Sequence, residues 1–425
     1  MFDVKVVSKA SRRASASPGP PFAGSKTVLR SGFGAFKEMP LAYIYQLALE
    51  APPFSKRFQV NEPALGFPFP FADPNLTSGT GEPLLLPIDV KMPYMLQWTF
   101  SMEKQLGETL VVKANYMGMR GMNLFAIYNP NQQATQIVGG RQFTPADAQR
   151  PNANFTSYRY VAPISDQFYN AGQLVVEKRF GGGLRFNSSY TWARNIDNGG
   201  GAGIKGAEQV VSAASFAVFN SQDRAADRGL SSLHIQHNFI LSYTYELPFG
   251  SGRRWGNQWR GAPGYLLGGW VLNGTNTIRS GLPVNLMMTP RQSRCAAQSC
   301  NERPDLRSGG NSNPVRDNWK PEGYFDPAQF VVPDLGFFGN LGRNTLIRPG
   351  QVNWNFSLSK DNRLGEGKNL EFRAEFFNFL NHPNFGAPAN TVFRNAAGAL
   401  DPNVGRITTT STAMRQIQFG LKFTF

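Results

Sequence analysis

Ile417-Gln-Phe-Gly-Leu-Lys-Phe-Thr-Phe425 closes the chain, and its reading decides the fold. Successive side chains of a β-strand point to opposite faces. Ile417, Phe419, Leu421, Phe423 and Phe425 therefore share one face, and Gln418, Gly420, Lys422 and Thr424 share the other. One face is wholly apolar and the other polar or small. A stretch of this length is close to the roughly ten residues that a tilted strand needs to cross a bilayer.

The same period recurs upstream. Val352, Trp354, Phe356 and Leu358 alternate with Asn353, Asn355, Ser357 and Ser359. After a turn at 363–368, Leu370, Phe372, Ala374 and Phe376 alternate with Glu371, Arg373 and Glu375. Three successive charges on one strand face would be foreign to a soluble core. Phe239, Leu241, Tyr243, Tyr245 and Leu247 repeat the pattern, broken only by Ile240. So do Leu184, Phe186, Tyr190 and Trp192, then Leu96, Trp98, Phe100 and Met102, then Leu110, Val112, Ala114 and Tyr116. Fainter alternation runs through 270–279, 169–180 and 27–36. The expectation is an all-β, antiparallel sheet of about ten strands, with Trp98, Tyr190, Tyr243, Trp354, Phe372 and Phe419 on one lipid-facing side.

The connections sort into two kinds. Residues 105–108, 180–183 and 363–368 are tight, glycine-containing turns, and the link at 248–266 is glycine-rich. Between them lie long polar stretches, 37–92, 121–168, 195–236, 281–350 and 382–414. Short periplasmic turns alternating with long external loops are what an outer-membrane barrel requires. A soluble β-sandwich also alternates its strands, but repeated loops of this length on one side are uncommon in compact soluble domains.

Composition agrees. Among 425 residues are 34 Phe, 13 Tyr and 7 Trp with 44 Gly and 30 Pro, a mixture poor in helix formers. No stretch approaches the length of a membrane helix. The net charge of +15 is scattered rather than grouped in a stripe, which argues against a nucleic-acid partner and suits solvated loops and a basic lumen. Cys295 and Cys300 are the only cysteines; too few for a zinc site by themselves, they read as a small loop disulfide in an oxidising compartment. No cofactor, metal or catalytic site is expected. Residues 1–25 carry basic side chains but no apolar segment that a signal peptidase would read, and are expected to be unstructured or non-native.

Several ordered motifs resemble the TonB-dependent receptors of the Oar-like group. They are KTVLRSGFGAF at 26–36, NYMGMRGMNL at 115–124, YTWARNID at 190–197, YELPFG at 245–250, Gly269-Trp270, SGLP at 280–283 and FRAEFFNFLNHPNFG at 372–386. The resemblance covers residues 26–425. It implies the C-terminal part of a plugged outer-membrane barrel of about twenty-two strands, in the bacterial outer membrane, taking up or binding an unknown ligand. Its implied partners are outer-membrane lipid, the barrel-assembly machinery, and TonB through an N-terminal part that this chain lacks. Ten strands of such a barrel would leave two unpaired edges, which hydrocarbon does not tolerate, so a partial barrel is expected. The strand 417–425, ending in an aromatic residue, would be the assembly signal.

Two rival readings stand beside it. One is a self-contained ten-stranded barrel similar to the omptin proteases, for which His234 and His237 lie close in sequence to Asp223 and Asp227. The other is a surface adhesion or structural protein.

Overall fold

The computed structural model describes residues 26–37, 84–89, 91–155, 157–199, 219–295, 302–365 and 367–425. The N-terminal segment 1–25, Cys300 and most of the 37–92 connection lie outside these residues. Ten long strands run in sequence order through one antiparallel sheet. They are β1 (Thr27–Lys37), β2 (Tyr94–Leu106), β3 (Leu110–Tyr128), β4 (Arg159–Gly181), β5 (Leu184–Asp197), β6 (His237–Glu246), β7 (Trp270–Arg279), β8 (Gln351–Gly365), β9 (Lys368–Phe377) and β10 (Gln416–Thr424). Two-residue strands, Leu84–Leu85 and Gly229–Leu230, lie along β4 and β5. Among the described residues nothing pairs with the free edges of β1 and β10, so the sheet is open.

Directly paired residues project from the same face, so the register extends the one-strand reading across the whole sheet. Leu29 pairs with Met102, then Ala114, Leu174, Tyr190, Phe239, Ile278 and Val352 follow in one continuous row. The neighbouring row, one residue along, runs Arg30, Ser101, Asn115, Gln173, Thr191, Asn238, Arg279 and Gln351. The first row is apolar and the second polar from β1 to β8. Trp98, Tyr190, Tyr243, Trp354, Phe372 and Phe419 all fall on the apolar face, and none of them is buried. A large, exposed, contiguous apolar face of this kind has lipid as its natural solvent.

The turns account for the direction of each hairpin. Gly181 pairs with Leu184 across Gly182 and Gly183, both at positive φ (63° and 78°). This two-residue connection demands left-handed backbone, which glycine adopts without a Cβ penalty. The longer link between β6 and β7 holds the one α-helix described, Ala262–Leu267. Its Tyr265, Leu266 and Leu267 are exposed, and Trp270 ties back to it by donating Nε1–H to the Leu266 carbonyl at 2.9 Å. No described helix is long and apolar enough to cross a membrane.

Two strand ends depart from the sequence reading. β3 continues to Tyr128 and β4 begins at Arg159, where alternation alone places a loop over 121–168. In this extension the consecutive pairs Ala126 and Ile127, and Val161 and Ala162, are all buried, so both strand faces are covered. With no solvent face to mark, the sequence there has no period of two.

Candidate functional site

Among the described residues the hydrophobic core cluster lies in the loops, not in the sheet. Leu286, Met288, Tyr324, Phe325, Phe330, Leu341, Leu346, Val392, Phe393 and Ile407 form a buried cluster. They come from the connection between β7 and β8 (280–350) and the one between β9 and β10 (378–415). Short strand pairs hold it: Asp305–Leu306 with Phe330–Val331, Pro283–Val284 with Leu346–Ile347, and Val315–Lys320 with Gly323–Phe325. The two connections are stitched by backbone bonds, Met287 N–H to the Asn390 carbonyl at 2.9 Å and Ile407 N–H to the Pro321 carbonyl at 2.7 Å. The Tyr324 hydroxyl donates to the Ile347 carbonyl at 2.7 Å. Burial raises its pKa to about 12, so it remains a neutral donor. Tyr324 and Phe325, which look in sequence like scattered loop aromatics, are 4% and 1% exposed and serve packing.

Two more of the long connections, β3–β4 and β5–β6, join this unit. The hairpin Gln136–Val138 with Arg141–Phe143 docks through Phe143 on Phe337, ring centroids 4.8 Å apart. Arg141 ion-pairs with Asp305 at 2.6 Å. From the β5–β6 connection, Asp227 accepts from Arg303 at 3.4 Å, and the Arg303 guanidinium lies 4.0 Å above the Phe219 ring. Gln132 ties the β3–β4 connection to the β5–β6 one, its side-chain amide donating to the Asn220 side chain at 2.7 Å. Four external connections thus make one cap.

A buried ionic cluster sits at its seam. Glu302 is 2% exposed, accepts from the Ser293 hydroxyl, and has its pKa raised to about 7 by burial, against the lowering influence of Ser293, Arg291 and Arg303. Burial also lowers Arg303 to about 10 and raises Asp227 above the ordinary carboxylate range despite its arginine partner. Desolvation outweighs pairing at this seam.

Below the cap the inner wall is polar. Ser101 donates to Asn115 at 2.7 Å, Asn115 to Gln173 at 3.1 Å, and Gln173 to Thr191 at 3.2 Å, a hydrogen-bonded ladder crossing four strands. Beside it, Arg30 pairs with Glu103 at 2.8 Å and Lys113 with Glu177 at 3.0 Å. Arg373 pairs with Glu371 at 2.5 Å, so the charged face of β9 satisfies itself. A cleft of about 550 Å³ opens on this wall, with Arg185, Asn187, Thr244, Asn273, Glu375 and Phe377 in its lining. Such a surface offers a solute many hydrogen-bonding groups and one exposed aromatic ring.

The remaining sequence candidates are placed as follows. His234 is buried and accepts from the Asn195 N–H through Nδ1 at 3.2 Å; burial, then Arg194 and His237, lower its pKa. His237 Nδ1 lies 2.8 Å from the Tyr190 hydroxyl on the lipid-facing side. Asp223 caps a 3-10 turn by accepting from Ala225, and Asp227 is committed to Arg303 and to the Phe219 N–H. Each of the four thus has another partner. Among the described residues no group of three His, Cys, Asp or Glu could hold a metal. Cys295 is buried and disulfide-bonded. Ile417, Phe419, Leu421, Phe423 and Phe425 are exposed along the apolar face. The cap itself left no sequence motif that would have revealed it.

An antiparallel sheet with an apolar outer face, a polar inner face, tight turns on one side and long loops on the other defines a membrane-spanning outer-membrane β-barrel protein. The chain belongs to the family described as outer membrane beta barrel domain, whose model matches residues 20–418. Its place is accordingly the bacterial outer membrane. A search of curated protein sequences finds no match. Among solved structures it is similar to the outer membrane transporter YddB from Escherichia coli, at 10% identity and a TM-score of 0.46, over 95% of this chain and 39% of that one. It is also similar to the Pseudomonas aeruginosa FpvA in complex with a heterologous pyoverdine and iron (7% identity, TM-score 0.38, 94% and 31% covered). A third is the ferric-catecholate import receptor Fiu from Escherichia coli K12 (8% identity, TM-score 0.37, 94% and 33% covered). The chain spans between 31% and 39% of the length of these three structures.

Proposed function

We propose that this chain is the wall and external cap of an Oar-like, TonB-dependent receptor that captures a ligand at the cell surface for uptake. The observation that carries the reading is the pairing of a folded cap, built from four external connections, with the polar inner wall beneath it. Loops that served only to join strands would have no need of a ten-residue apolar core. In this reading the two open sheet edges pair with further strands, because backbone groups facing hydrocarbon must be satisfied. The ligand class is one that exploits neutral hydrogen-bonding groups, since Asn, Gln, Ser and Thr dominate the inner ladder. The role is binding and passage rather than catalysis.

The test is uptake from a defined mixture of labelled oligosaccharides, peptides and metal chelates by cells with and without the gene, each with the proton gradient intact or collapsed. Gene- and gradient-dependent loss of one component from the medium supports the reading. Binding that depends on the gene but is indifferent to the gradient would favour adhesion instead.

A further inference from the structure

On the lipid-facing side, above the apolar band, two arginines stack on one ring and a third lies beside them. Arg120 pairs in register with Phe168, and its Cζ lies 4.9 Å from the Phe168 ring centroid. The Arg228 Cζ lies 5.4 Å from the same centroid. Arg194 pairs with Asn170, two residues along the same face from Phe168. All three arginines are exposed, and none makes an ion pair among the described residues. Ten residues separate Leu110, beside the tight turn, from Arg120. At about 3.3 Å per residue and a tilt of about 40°, that raises Arg120 by about 25 Å, the height of the apolar band of such barrels. Lys104, Lys178 and Lys360 of the same face lie at the opposite, turn-side end.

Directly below the arginines the wall is hollow. A groove of about 570 Å³ is lined by Tyr116, Gly172, Trp192, Leu230, His234 and Arg194 among others. Gly172 stands between Tyr116 and Trp192 in one cross-strand row, and a Cβ there would meet nothing within 4 Å. Trp192 is 59% exposed and Tyr116 44%, the pattern of interfacial aromatics. Tyr116 donates its hydroxyl to Asn170 at 2.8 Å, so two of the polar groups that line the groove satisfy each other.

We propose that the Arg120, Arg194 and Arg228 cluster and the groove over Gly172 together bind a phosphorylated lipid of the outer leaflet, its phosphate on the guanidinium groups and an acyl chain in the groove. The occupant follows from charge and depth. Guanidinium matches phosphate oxygens two at a time, and an apolar hollow beneath it opens into hydrocarbon, where a soluble anion has no reason to extend.

The experiment is native mass spectrometry of the intact protein purified in mild detergent, titrated with diphosphoryl lipid A and with the same lipid stripped of phosphate. The wild type should retain the phosphorylated lipid at least about tenfold more tightly. The triple variant Arg120→Gln, Arg194→Gln, Arg228→Gln should lose that preference. Gly172→Leu, which fills the hollow without strain, should weaken lipid binding while leaving the arginines in place. Heat-dependent mobility on gels verifies that each variant has folded. Equal retention of the two lipids by the wild type, or an unchanged preference in the triple variant, overturns the proposal. Inorganic phosphate bound as tightly as the lipid, with no effect of Gly172→Leu, overturns the lipid assignment.

Discussion

Arg343, in the connection between β7 and β8, closes its guanidinium on the carboxylate of Asp197 at the upper end of β5. It also donates to the Asp197 carbonyl at 2.7 Å and, through Nε, to the Asp227 carbonyl at 2.7 Å. Both side chains are nearly buried, at 6% and 7% exposure. One arginine thus joins the cap to the sheet and to the neighbouring loop.

Removing one partner of a buried pair strands the other charge, at a cost of about 3–5 kcal/mol. Arg343→Ala should therefore make the cap cleavable by added protease on intact cells, while the strands remain protected in the membrane. The double change Arg343→Met with Asp197→Leu leaves no orphaned charge and should be cleaved less than the single variant. Equal cleavage of wild type and Arg343→Ala would show that the pair does not hold the cap.

The Glu302 carboxyl gives the cap a pH dependence of definite sign. Its folded pKa is raised from 4.5 to about 7. Between those values the folded cap holds a proton that the unfolded loop releases, so each rise in pH favours unfolding. This contribution to cap stability is complete below about 4.5, falls as pH rises through the window, and is gone above about 7. The upward shift of Asp227 acts in the same direction. Hydrogen exchange of the cap amides should be slower at pH 5 than at pH 8 once corrected for intrinsic rates, and Glu302→Gln should flatten that difference. A cap that tightens with rising pH would refute the assignment.

Cys295, which is disulfide-bonded, lies in the same connection. With two cysteines in the chain, a bridge to Cys300 would enclose six residues and stabilise the fold by about 2 kcal/mol in the loop-entropy account. Thiol labelling of intact cells should be absent until reductant is added, then appear at both positions. Labelling that is equal with and without reductant would exclude the bridge.

How far the sequence disclosed all this depends on whether a segment has two different solvents. Where one face meets lipid and the other a polar interior, as in β8, β9 and β10, the period of two is nearly unbroken and the strands fall where alternation puts them. Where both faces are covered, as around Ala126 and Val161, alternation vanishes and the strand reads as loop. The cap is the extreme case. Phe325 shares its cluster with Phe330 nearby but also with Val392 and Ile407 of the neighbouring β9–β10 connection, through strands of two or three residues that no periodicity can mark. Arg120, Arg194 and Arg228 are equally silent, because only the register brings β3, β4, β5 and the 228–230 segment to one spot.

The facing of the last strand admits the most direct test. Phe419 pairs with Ala374 in a row with Leu358, Leu272 and Tyr245, and is 68% exposed. Its neighbour Gln418 pairs with Glu375 in the polar row. They are the third and fourth of the nine residues of β10. A lysine on the lipid face costs up to about 2–4 kcal/mol, less toward the interfaces, and one in the lumen little. Phe419→Lys should therefore sharply reduce the membrane-inserted, heat-modifiable protein, while Gln418→Lys, facing Glu375, should insert nearly as wild type. Deletion of Phe425 should slow insertion separately, by shortening the strand that we expect to add to an open edge of the assembly machinery. Equal loss of inserted protein for the lysines at 418 and 419 would mean that the two faces of the sheet had been assigned wrongly.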